Sequence, residues 1–189
     1  YYSRRANPYQ TPYDENGNYV YDIDIQGKGD SDLMFNVFEE RNNTSYEQTT
    51  NALSAIFDVE LRFNDRFKAT SQVGMQLDAV SKESIADHDT YAMRKDKEFT
   101  TIASLGNKSF LPDGGKHTEA ANTNSQINWK TQAEYRDSYN DIHEFEMMAG
   151  TEIRKTWYNS LNSTGYGFDR KTLTTKPVIF PNESWARSY

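Results

Sequence analysis

Between Leu53 and Phe63 apolar and polar residues take turns: Leu53, Ala55, Phe57, Val59, Leu61 and Phe63 hold the odd positions, and Ser54, Ile56, Asp58, Glu60 and Arg62 the even ones. After Asn64, Asp65 and Arg66 the rhythm resumes with Phe67, Ala69, Ser71, Val73, Met75, Leu77 and Ala79. A period of two marks strands with one apolar face. For the two apolar faces to coincide, Phe63 must stand opposite Phe67, which predicts a hairpin over residues 51–80 closed by residues 64–66, a common loop length.

A second hairpin is predicted over residues 124–158. Ile127, Trp129, Thr131, Ala133 and Tyr135 face one way, and Asn128, Lys130, Gln132, Glu134 and Arg136 the other. Beyond a short turn around Asn140, Asp141 and Ile142, Phe145, Met147, Ala149, Thr151, Ile153 and Trp157 oppose Glu144, Glu146, Met148, Gly150, Glu152 and Arg154. The other segments carry no sustained period. Residues 1–50 form a loop and hairpin region, with a turn at Asn16-Gly17, since both residues tolerate positive φ, and a short helix or irregular crossing from Ser31. Residues 81–123 read as one long connection, and 159–189 as a loop with the possible start of a further strand.

Composition narrows the choice of solvent for these faces. Only 35% of the residues are hydrophobic, yet 14% are aromatic, and the mean hydropathy is −0.92. Aromatic-rich chains are not disordered by composition, and a net charge of −7 without a basic stripe argues against a nucleic-acid partner. Cysteine is absent, which excludes disulfides, thiolate metal sites and cysteine nucleophiles. No apolar run reaches the roughly 18 residues of a membrane-spanning helix, but membrane-crossing strands need only about 9–11 residues with one apolar face.

The expected fold class is therefore all-β: an antiparallel transmembrane β-barrel segment of long hairpins, with short periplasmic turns and long extracellular loops. The long connection at 81–123 and the short turns fall on opposite sides, and no charge stands on the apolar face between Leu53 and Leu77. Phe63, Phe67, Tyr135 and Tyr139 lie beside the short turns, and Trp157 and Tyr158 near the other rim, as interfacial aromatic girdles would. The alternative, a soluble secreted β-sandwich that binds glycan, shares the alternation. Its strands are usually five or six residues, whereas those predicted here run to about eleven to fifteen.

Three stretches carry a family resemblance: "NPYQTPYDENGNYVYDI", "NVFEERNNTSYEQTTNALSAIFDVELRFNDRFKATSQVGM" and "HEFEMMAGTEIRKTWYNS". They resemble, in this order, the middle barrel segment of SusC-like TonB-dependent outer-membrane transporters of the Bacteroidetes, with a P-Y-D-x-x-G hairpin and a late strand on which His143, Gly150 and Glu152 match. The resemblance implies an internal piece of a longer nutrient importer in the bacterial outer membrane. Its partners would be outer-membrane lipid, a SusD-like surface lipoprotein, an oligosaccharide or peptide ligand, and TonB through a plug domain absent from this chain.

Candidate chemistry is sparse. Asp58, Glu60, Arg62 and Arg136 are expected to face the lumen; Asp58 and Glu60 raise the thought of a glycosidase pair, but Arg62, Lys68 and Lys130 nearby point to cross-strand ion pairs. Tyr91, Phe110 and Tyr166 are the candidate ligand or partner contacts on the outer surface. Neither a metal site nor a cofactor is expected, because His88, His117 and His143 lack a histidine partner at ligand spacing; His88 and His117 read as solvated loop residues. The serine of "GDSD" has no nucleophile elbow, "DGG" at 113–115 and "GYG" at 165–167 are too short to cradle phosphate, and no catalysis is expected.

Overall fold

A computed structural model describes residues 9–25, 33–140 and 142–187. The serine of "GDSD", Asp141 of the second turn, and the first residues of the opening and crossing segments lie outside these. In chain order the elements are α1 (Val37–Asn43), β1 (Thr44–Arg62), β2 (Phe67–Ala86), α2 (Tyr91–Phe99), β3 (Thr101–Ile102), β4 (Lys108–Ser109), β5 (Gly115–Tyr139), β6 (His143–Asp169), β7 (Thr174–Lys176) and α3 (Glu183–Ala186). The protein is all-β and antiparallel. One sheet has the order β1-β2-β5-β6-β7, and β3 and β4 pair separately. Each long strand thus lies beside the next long strand in the chain, an up-and-down order.

The chain divides into two compact units. The first, here the strand unit, comprises Gln48–Ser81 and Ala120–Leu161. Its first turn closes as the pattern predicts: Phe63 N donates to Phe67 O (3.0 Å), and the Asn64 side chain accepts from the backbone N–H of Arg66 and Phe67 at 2.9 and 2.8 Å. The two rings meet at 5.3 Å. The second turn reverses the chain between Tyr139 and His143, with Asn140 in the left-handed region at φ 55°; asparagine is among the few residues that visit it readily.

The second, here the packed unit, comprises Tyr1–Glu47, Lys82–Glu119 and Asn162–Tyr189 and holds the hydrophobic core. Met93, Phe110, Leu111 and Tyr166 are buried together, with Val178, Phe180 and Trp185 packed against them. Asn36 caps α1 by accepting from Phe38 N and Glu39 N, while its amide donates to Pro12 O (2.8 Å) and Val20 O (2.7 Å). One buried side chain therefore satisfies the helix start and ties the hairpin to it. The Asn16-Gly17 hairpin forms, with Tyr13 bridging Tyr19, but only Gly17 of the pair takes positive φ, at 82°. Asp14 organises the turn, accepting from Asn16 N and Asn18 N. Hydrogen bonds from Asn18, first its side chain and then its backbone, hold the Asp14 carboxyl below the usual range.

Several boundaries differ from the sequence expectation. β1 begins at Thr44, β2 continues to Ala86, β5 already starts at Gly115, and β6 runs on to Asp169. The predicted hairpins end earlier because apolar alternation fades at these ends, where polar runs such as "KHTEAANTN" at residues 116–124 give a strand no apolar side to show. The connection after β2 is correspondingly shorter than expected, residues 87–114, and it contains α2, β3 and β4. The glycines of 113–115 and 165–167 serve close backbone approach. A Cβ on Gly114 (φ +138°) would fall 2.5 Å from the Gly167 backbone, and Gly167 itself is at φ +67°.

Candidate functional site

In the strand unit, the even-numbered side chains form a ladder of polar contacts along and between strands. Glu60 accepts from Arg62 Nε at 2.7 Å and lies 3.8 Å from Lys68 Nζ, which reaches Glu134 at 3.3 Å. Gln72 Nε2 donates to Asp58 at 2.6 Å, and Arg136 Nη2 to Glu146 at 2.8 Å. All four residues expected to share the charged face are thus engaged on it. Of the expected counter-charges, Lys68 reaches Glu60 from the neighbouring strand and Arg62 reaches it along β1, while Lys130 pairs with neither acid among the described residues; Gln72, Glu134 and Glu146 were missed as partners. Their parity was the available signal; register decides which of several same-parity residues meet. Close to the turns, Arg66, Arg136, Asp137, Glu144 and Glu146 help line an open polar hollow of about 670 Å³.

The odd-numbered face has the opposite character. Phe57 is 63% exposed, Val59 56% and Met147 55%, and Leu53, Leu61, Phe63, Met75 and Leu77 are exposed with them. No second layer covers these side chains among the described residues, as a sandwich would require. Three polar groups on this face satisfy one another: Trp129 Nε1 donates to Ser71 Oγ at 2.9 Å, and Ser71 Oγ lies 3.1 Å from Thr131 Oγ1. Such internal pairing is what an environment without water demands, since an unpaired polar group there costs several kcal/mol, roughly 2–7.

The three candidate outer contacts lie in the packed unit and are largely enclosed. Phe110 is 9% exposed and meets Trp185 edge-on at 5.2 Å, and Tyr166 is 6% exposed. Tyr91 opens α2 half-buried, edge-to-face with Phe35 at 5.3 Å. The rings of Phe110 and Tyr166 build the core of this unit, so the structure moves both from the expected outer surface to its interior. The physical reason is long-range: their neighbours come from α2 and the C-terminal segment, far away in sequence.

Charge in the packed unit is also committed locally. Arg94 donates to Glu39 (2.9 Å), Leu33 O, Met34 O and Asp89 O. Burial raises the Glu40 carboxyl, which accepts from Tyr91 N and so caps the first turn of α2. Burial also raises Asp87, but hydrogen bonds from His88 and the charge of Arg170 outweigh it and leave its pKa below the ordinary value. His88 is exposed and splits its two ring nitrogens between Asp87 (3.2 Å) and Asp89 (3.0 Å). His117 is no loop residue: it belongs to β5, its side chain is 18% exposed, and its ring stacks on Phe168 at 4.8 Å. His143 is exposed at the first position of β6.

Tyr166 titrates abnormally. Burial, and then the charge of Asp96, which accepts its hydroxyl at 3.4 Å, push its pKa from 10.0 up to about 12. The folded pKa exceeds the unfolded one, so the contribution of Tyr166 is complete below pH 10.0 and disappears as the pH rises through about 12. The melting temperature of the wild-type chain should fall more steeply across that window than that of Tyr166→Phe; parallel pH profiles would remove Tyr166 as the cause.

No protein-family model matches this sequence, and no curated protein matches it either.

Proposed function

We propose that this chain is a wall segment of a TonB-dependent outer-membrane nutrient importer of the SusC-like kind that its sequence resembles. The observation that carries the reading is the exposed odd-numbered face of the strand unit, largely apolar and with Trp129, Ser71 and Thr131 hydrogen-bonded to one another, backed by a face of ion pairs. Hydrocarbon would cover the first face. The second, with Asp58, Glu60, Arg62 and Arg136, would line a wet interior. Lys155 shares the parity of Trp157, and its ammonium sits 4.9 Å over that ring; its long stem lets the charge reach the interface.

Two further features support the reading. Strands of 19, 20, 25 and 27 residues are long enough to cross a bilayer and continue beyond it. β1 is an edge strand, and three-residue β7 covers only a fraction of β6. Long open edges invite aggregation, and barrels remove them by closure, so further strands of a larger barrel would pair here. In such an importer the membrane-crossing part falls within residues 48–81 and 120–161. The ligand would be an oligosaccharide or a peptide received with a SusD-like lipoprotein. Transport would proceed by ligand-gated displacement of a plug pulled by TonB, with no covalent chemistry in this segment.

The test uses the absence of native cysteine. The chain, refolded from urea into phospholipid vesicles, should float with them, and a Val59→Cys variant should resist a water-soluble maleimide that labels Asp58→Cys. A chain that folds in buffer, stays with the aqueous fraction and labels equally at both positions would overturn the proposal.

A further inference from the structure

Glu83 on β2 and His117 and Glu119 on β5 converge in the packed unit. β2 and β5 are neighbours in the sheet, and His117 and Glu119, two apart, share a face. His117 Nε2 lies 2.8 Å from Glu83 Oε1 and 3.7 Å from Glu119 Oε1, and the three donor atoms all fall within 4.8 Å of one another. A tetrahedral ion bound at about 2.0–2.1 Å holds its donors roughly 3.3 Å apart, and the observed separations bracket that spacing. Small rotations of the two carboxylates would seat the ion, and both are free to make them, at 47% and 65% exposed.

The imidazole is the fixed member. Its stacking on Phe168, with 28° between the planes, holds the ring while Nε2 faces both acids. His88 provides the contrast. It too has two carboxylates nearby, but it meets them with different ring nitrogens, so one ion cannot take both as partners of the same donor. At His117 a single nitrogen and two carboxylates converge, and the two negative charges balance a dication. A mixed imidazole and carboxylate set suits zinc and its first-row neighbours; calcium and magnesium take oxygen donors.

We propose that Glu83, His117 and Glu119 form a divalent transition-metal site of the zinc class, with its remaining position taken by water. The ion joins β2 to β5 beside Phe168 of β6, and this assignment does not depend on the importer reading.

Calorimetric titration of the full chain in detergent micelles with zinc at neutral pH tests it, with cobalt as a spectroscopic probe. One equivalent should bind, and cobalt should develop the visible bands of tetrahedral coordination. His117→Ala should weaken binding by at least about 100-fold, beyond the roughly 10–100-fold that loss of an outer-shell partner brings. His88→Ala should bind as the wild type does. The double variant Glu83→Gln with Glu119→Gln changes only exposed side chains, so it decides the matter if His117→Ala loses its strand circular dichroism. Absence of zinc binding by the wild-type chain, or unchanged affinity in the folded double variant, overturns the site.

Discussion

Arginine at Met147 is expected to cost about 2–4 kcal/mol of stability in a bilayer, whereas arginine at the adjacent Met148 should cost less than about 0.5 kcal/mol. The two methionines are next to each other on β6 and similarly open, 55% and 69% exposed. In water they are near-equivalent sites for a charge. They differ only in the face on which pleating puts them: Met147 with Phe145 and Ile153, Met148 with the ion pairs of Glu146 and Arg136. Denaturant titration in phospholipid vesicles, followed by tryptophan fluorescence, reads both variants. Val59→Arg lies on β1, away from Met147, and should add a similar penalty to Met147→Arg, since distant sites combine nearly additively. Equal costs for Met147→Arg and Met148→Arg would mean that lipid touches neither face selectively, and the importer reading would fall with that result.

Phe110→Ala is expected to destabilise the packed unit by roughly 3–5 kcal/mol. Its ring is 9% exposed and packs on Trp185 at 5.2 Å and Phe180 at 5.8 Å, beside Met93 and Tyr166. Residues from a connection, a helix and the C-terminal segment meet there, so the cavity left by alanine cannot be filled by a shift of one element. The measurement is the midpoint and slope of urea unfolding for wild type, Phe110→Ala and Phe110→Leu. Leucine should restore part of the loss by refilling volume. A cost within about 0.5 kcal/mol for Phe110→Ala would return this ring to the surface role its place in a polar connection suggested.

The two residues illustrate where local sequence carries information. Met147 and Met148 stand in a run whose period of two assigns each to a face without any knowledge of tertiary contacts. Phe110 stands among Lys108, Ser109 and Asp113, with no period to follow. Its partners lie in α2 and around Trp185, and nothing local announces a contact of that range. His117 is a similar case. Polar residues on both sides of it conceal a strand, and Glu83 reaches it only through the pairing of β2 with β5.

The alternation alone determined the two hairpins, the Phe63–Phe67 closure and the separation of an apolar from a charged face, because side-chain direction in a strand follows parity and parity is local. Tertiary structure alone decided that Phe110 and Tyr166 are interior, that Glu60 shares Lys68 with Glu134, and that Glu83 meets His117. Each of these depends on register and on packing between segments far apart in sequence.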